Sequence, residues 1–223
     1  MKEAKHIESK ENFQIERLTF FTDGVFAIAI TLLIIEIKIP VIPEFNDHSL
    51  WENLSETLLK FLGFTISFII IGHFWSVHHR IFGYIKKHTS MLYWLNLAFL
   101  FTIVTIPFTS GLVGEYSEHT NMLLPYIIYA MNMCLTGLMN CLLWYYVSNP
   151  QRDLLTHRIA DSRIKLGIYR SLVIPLVFLI SMVVSFFFPV LSRIMLLLIP
   201  ILLHWGLRNL EKRASLDEGH EDA

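Results

Sequence analysis

The side chains able to do chemistry in apolar surroundings are few. One carboxylate, Asp23, opens the run "FFTDGVFAIAITLLII". Three imidazoles, His73, His78 and His79, crowd the segment "GHFWSVHHRIF" around Trp75. Ionisable groups are costly in such sequence and mark functional or anchoring positions. Three chemistries fit these residue types: metal ligation by the histidines, proton relay or transport through Asp and His, and a carboxylate held by indole and imidazole donors. The spacing speaks against a metal. His73 and His78 are five apart, no Glu or Cys accompanies them, and the adjacent pair diverges by ~100° on a helix. Trp75 and His79 lie i, i+4 on one face with His78 near it, and could supply the donors a buried carboxylate requires. For Asp23 the alternative is a charge near the interface, paired with Arg17 or a lysine.

The elements that must position these groups are membrane spans. Of 223 residues, 54% are hydrophobic and 17% charged, and the mean hydropathy is +0.51. Long apolar blocks with few charges between them indicate a polytopic membrane protein. No cleavable leader, phosphate-binding loop, nucleophile elbow or paired-cysteine motif is visible; the chain is not expected to be an enzyme, with a membrane enzyme or carrier using Asp23 and the histidine cluster as the competing reading. Six spans are read: Leu18–Ile39, Leu58–Phe82, Met91–Val113, Met122–Val147, Ser171–Phe188 and Val190–Leu207. Residues 1–16 form an N-terminal tail, 17–209 the six-span domain and 210–223 an acidic tail. Gln151–Arg170 reads as a charged, partly helical linker. Fifteen of the 18 Lys and Arg residues fall on one face, leaving Lys38, Lys60 and Arg193. Both termini are therefore expected in the cytoplasm, the chain being a multi-pass protein of the cell membrane. The other face carries Glu44, Asp47, Glu52, Glu56, Glu115 and Glu118, either an ordinary solvated loop surface or a vestibule that concentrates cations.

Within the first span, Gly24, Ile28, Thr31, Leu32 and Ile35 fall within ~100° of arc at helical periodicity. Asp23 and Thr22 lie off that stripe. Periodicity leaves two readings. Gly24, with Ala27 and Ala29, would permit close helix packing. Alternatively Ile28, Leu32 and Ile35 form a pore constriction that closes by dewetting, with Thr31 adding a hydroxyl.

The run Arg17-x-x-x-Phe21-Thr22-Asp23-Gly24, followed by "VFAIAITLL", closely resembles the signature of the transmembrane protein 175 family of potassium channels, whose motif is Arg-x-x-x-Phe-Ser-Asp-Gly. "FWSVHHRIF" is similar to that family's second-span pattern of Trp followed by His-His. The resemblance covers the membrane portion. It implies an all-α homotetramer with the first helices around a central pore, the main constriction at Ile28 and further layers at Leu32 and Ile35. Thr31 matches the position of a hydroxyl proposed to aid selectivity. Thr22, Asp23, Trp75, His78 and His79 match the network that positions the pore helix, and Arg17 its cytoplasmic end. Thr22 departs from the family's Ser, keeping the hydroxyl and adding a methyl. The function implied is passive, selective potassium conduction, with potassium as permeant ion and no cofactor, metal or nucleic acid. The alternatives are a proton leak through the same architecture and, further off, a carrier or metal site built on His73, His78 and His79. A carrier would show broken spans in paired halves; Pro107 and Pro175 interrupt spans three and five, but no matching halves are seen.

Overall fold

The computed structural model describes residues 2–116, 122–156 and 159–203, with side chains from residue 11 onward except those of 55, 56 and 59. Its helices are α1 Lys2–Ile35, α2 Asp47–Gly83, α3 Ser90–Val104, α4 Ile106–Glu115, α5 Leu124–Val147, α6 Asp161–Ser185, α7 Pro189–Met195 and α8 Leu198–Ile201. Among the described residues, five apolar stretches are long enough to cross a membrane: Glu11–Ile35, Lys60–Gly83, Ser90–Glu115, Leu124–Val147 and Asp161–Ser185.

Several boundaries differ from the sequence reading, each for a physical reason. Residues 2–16 are helical and continuous with the rest of α1. They are rich in Glu and Lys, good helix formers with no Gly or Pro among them, and Ile15 and Leu18 are buried against the core. The third span breaks at Thr105, because Pro107 has no N–H for the preceding turn. Thr105 Oγ1 lies 2.9 Å from the Thr102 carbonyl and 3.0 Å from Asn132 Oδ1. Such hydroxyl and amide contacts are how a membrane helix tolerates a proline. Half of the expected linker is helix, since α6 begins at Asp161. The sixth span is observed as a short apolar segment, Pro189–Ile201, rising only ~20 Å at ~1.5 Å per residue. The remainder of that span beyond 203, and the acidic tail 210–223, lie outside the described residues.

One core cluster runs through α1 to α6 around Phe26, Phe74, Phe99 and Phe178. Helices α5 and α6 approach each other closely at Gly137. A Cβ on Gly137 would lie 2.5 Å from the ring carbons Cδ and Cγ of Pro175, which cannot swing away. Gly137→Ala is expected to cost ~1–3 kcal/mol through overpacking, lowering the melting temperature in detergent by several degrees. Gly63→Ala, where a Cβ meets nothing within 4 Å, should leave it unchanged or raised; equal melting of the two variants would refute the tight contact.

On the basic face, Asp153 joins two loops, accepting from Lys86 Nζ at 2.7 Å and Lys87 Nζ at 2.6 Å. Those hydrogen bonds and charges hold its carboxyl down at about 2. An antiparallel bridge, Ile85 to Leu155, completes the join.

Candidate functional site

Helix α1 has two unlike faces. Thr22, Phe26, Ala29 and Leu33 are buried, none more than 2% exposed. The stripe Gly24, Ile28, Thr31, Leu32 and Ile35 is uncovered, with Ile28 58% and Ile35 69% exposed in the single chain. Packing inside the chain therefore uses Ala29 and not the stripe. A Cβ on Gly24 would meet nothing within 4 Å. Phe21 is exposed beside this stripe, and the Arg17 guanidinium stands 5.7 Å from the Phe13 ring centre, a cation–π separation.

Helix α1 is held by hydrogen bonds from two other helices, one at the half-buried Asp23 and one at the buried Thr22. Trp75 Nε1 on α2 donates to Asp23 Oδ1 at 2.9 Å. Asn96 Nδ2 on α3 donates to Thr22 Oγ1 at 2.9 Å, and Asn96 Oδ1 lies 2.7 Å from His78 Nε2. If His78 carries its proton on Nε2, it donates to Asn96, orienting the amide so that its NH2 faces Thr22. The His78 ring stacks between Phe82, at 4.2 Å, and Phe99, at 5.5 Å. Phe26 of α1 packs against His78 and Phe99 at about 6 Å. The extra methyl of Thr22 is fully buried with the rest of that side chain.

Among the described residues, then, the donor to Asp23 is an indole and not an imidazole. His79 is exposed and its ring lies 5.6 Å from that of Trp75, a supporting contact. His73 is half-buried, with its ring 6.1 Å from Phe74. The three histidines do not converge, and among the described residues no three His, Cys, Asp or Glu side chains gather as metal ligands. Asn96 is the participant the sequence reading passed over. The signal was available: an uncharged amide inside "MLYWLNLAFLFTIV" must find partners across helices.

The far end of α1 is also held. The Glu36 carboxylate rests on Gly111 of α4, where a Cβ would lie 2.3 Å from Oε2. Lys38 Nζ meets Glu115 Oε1 at 3.1 Å, an exposed pair of small energetic weight. Thr31 Oγ1 donates within its own helix, lying 3.0 Å from the Ala27 carbonyl and 2.9 Å from that of Ile28. Its hydrogen is committed there, so the oxygen can offer lone pairs to a cation or water on the uncovered face. The arrangement is a helix anchored along one side, presenting an aliphatic stripe with one hydroxyl oxygen on the other.

Residues 17–107 match the family model described as the endosomal/lysosomal potassium channel TMEM175. A Streptomyces collinus protein named as a potassium channel is 31% identical over 158 residues, 68% of this chain and 76% of that protein. A chicken protein named as the endosomal/lysosomal proton channel TMEM175 is 37% identical over 112 residues, 48% of this chain but 22% of its own length. In three dimensions the chain is similar to the crystal structure of a lysosomal potassium-selective channel TMEM175 homologue from Chamaesiphon minutus. The TM-score is 0.75 at 25% identity, over 87% of this chain and 98% of that one.

Proposed function

This chain belongs to the TMEM175 family of ion channels, and we propose that it is a potassium-selective channel in which four copies surround one pore lined by α1. The observation that carries this reading is the division of α1. Its buried side is bonded to α2 and α3, while Ile28, Thr31, Leu32 and Ile35 are left without cover by the chain itself. A lone chain would leave an apolar stripe with a polar notch facing lipid on a helix otherwise fixed in place. A ring of such stripes makes a narrow, aliphatic passage. Ions pass when it is wide and hydrated, and stop when it dewets. Ile28 forms the main constriction, Leu32 and Ile35 form further layers, and Thr31 supplies oxygen ligands between them.

Arg17, Phe21, Thr22, Asp23, Gly24, Trp75, His78 and His79 are assigned to positioning the helix and its inner end. The basic face, with Lys86, Lys87 and Arg152 in its loops, is the cytoplasmic one by the excess of positive charge. Both termini are placed there, with α7 and α8 beginning the sixth crossing. The domain division, 1–16, 17–209 and 210–223, is retained as a functional one, the first segment being a helical extension of the pore helix.

Proton conduction is the second reading, favoured by the proton-channel name of the chicken relative. A dry aliphatic ring can pass protons along transient water while stopping metal ions. Purified protein in potassium-loaded vesicles diluted into sodium tests both. A potassium pore generates an inside-negative potential, read as uptake of a cationic dye. With potassium equal on both sides and a pH gradient imposed, a proton pore acidifies or alkalinises the lumen. Lumenal pH change without a potassium-driven potential would overturn the first reading in favour of the second.

A further inference from the structure

Three Lys or Arg residues lie away from the basic face, Lys38, Lys60 and Arg193. Lys38 engages Glu115. Lys60 and Arg193 both line one cavity of about 310 Å³ between α2, α4, α5 and α7, at the end of the bundle where α1 finishes. Its walls are largely apolar, including Ile66, Val113 and Leu196, and no carboxylate is among its described lining residues. Leu62, Val190 and Ile194 among its lining residues are exposed, so its mouth is rimmed by apolar side chains of the kind that face acyl chains in a span. A cavity of this size is at the lower end of the range for small-ligand pockets, ~300 Å³.

Its inner wall has a spare donor. Ser67 Oγ lies 2.8 Å from Ser110 Oγ and 2.9 Å from Tyr129 Oη. Three hydroxyls share two hydrogen bonds, so one O–H hydrogen has no acceptor among them, and when Ser67 donates to one outer hydroxyl it is that hydroxyl's own hydrogen that is left over. The two outer members of that chain, Ser110 and Tyr129, both line the cavity. An unmatched donor in an apolar wall costs free energy unless an occupant brings an acceptor.

We propose that this cavity binds one anionic glycerophospholipid from the adjoining leaflet. The phosphate sits between Lys60 and Arg193, whose stems cover apolar wall while their charged ends reach headgroup depth. An ester carbonyl accepts the spare hydrogen of the Ser110–Ser67–Tyr129 chain, and one acyl chain fills the apolar interior. The binding is separate from conduction and is read without current.

Native mass spectrometry of the detergent-purified assembly tests it, with phosphatidylglycerol and phosphatidylcholine of matched chains. Phosphatidylglycerol is expected to bind clearly tighter. The Lys60→Gln/Arg193→Gln double variant should lose about thirtyfold in that affinity, ~fivefold for each charge near an anionic headgroup and compounded by the phosphate contact, and leave phosphatidylcholine unaffected. Gly63→Phe keeps both cations and fills the cavity from a position where a Cβ meets nothing within 4 Å; it should abolish binding of both lipids while the protein keeps its melting temperature. Equal affinity for the two lipids, undiminished binding in either variant, or displacement of phosphatidylglycerol by millimolar inorganic phosphate would overturn the proposal. The last would mark a free-anion site instead.

Discussion

Ile28→Asn is expected to convert a selective, mostly closed passage into a conductive and poorly selective one. The proposed barrier is the cost of bringing a hydrated cation past a ring of isoleucines that hold no water. An amide at the same place gives water and ions hydrogen-bonding partners throughout, so the dehydration step that distinguishes potassium from sodium is lost. With potassium opposite sodium the reversal potential should collapse toward zero, at ~59 mV for each tenfold of permeability ratio surrendered, while unitary current rises. The fold should hardly notice, because Ile28 is 58% exposed in the chain and lies off its core, and surface changes of this kind stay within ~0.5 kcal/mol. Leu33→Asn supplies the contrast. Leu33 is 2% exposed and belongs to the central cluster, so that change should lower thermal stability instead of altering selectivity. An Ile28→Asn channel with the wild-type reversal potential removes Ile28 from the filter.

Asn96→Leu is expected to have the largest effect on assembly. The two side chains are similar in volume, so little cavity is created, and the polar contacts are what is removed. Thr22 Oγ1 and His78 Nε2 are each left without the partner seen at 2.9 Å and 2.7 Å. Both residues are buried, 0% and 2% exposed. A stranded buried polar group costs ~1–3 kcal/mol, and two are stranded together at the point where α1, α2 and α3 meet. Size-exclusion chromatography should show loss of the assembled form, or a large drop in its melting temperature. His79→Leu, which alters only an exposed ring beside Trp75, should be far milder. An Asn96→Leu protein as stable as wild type would mean that the amide merely fills space.

Much of this site was legible because helical periodicity is geometric. Residue order alone groups Ile28, Thr31, Leu32 and Ile35 on one face of α1 but leaves open whether that face packs against a neighbour or lines a pore; its exposure is read from the structure. That Asp23 needs a donor followed from a simpler constraint on a carboxylate among apolar residues, but Trp75, His78 and His79 stood together as candidates beside an ion pair with Arg17 or a lysine, and the bond to Trp75 is read from the structure. Asn96 escaped because an amide carries no charge and attracts less notice than the histidines nearby, although it connects one of them to α1. Choosing among His73, His78 and His79 required rotational detail that sequence spacing does not hold. Helix ends were misplaced where hydropathy stops tracking helicity. Lys2–Glu16 is polar yet helical, Pro107 splits an apolar run without a change of hydropathy, and α6 begins ten residues ahead of its most apolar part.

The most direct measurement is the bi-ionic reversal potential of the purified wild-type protein in a planar bilayer, with potassium on one side and equal sodium on the other at one pH. A potassium-selective pore gives single-channel steps and a reversal potential tens of millivolts from zero in the direction that favours potassium. A reversal near zero, or a current that follows an imposed pH gradient and ignores the potassium gradient, contradicts it.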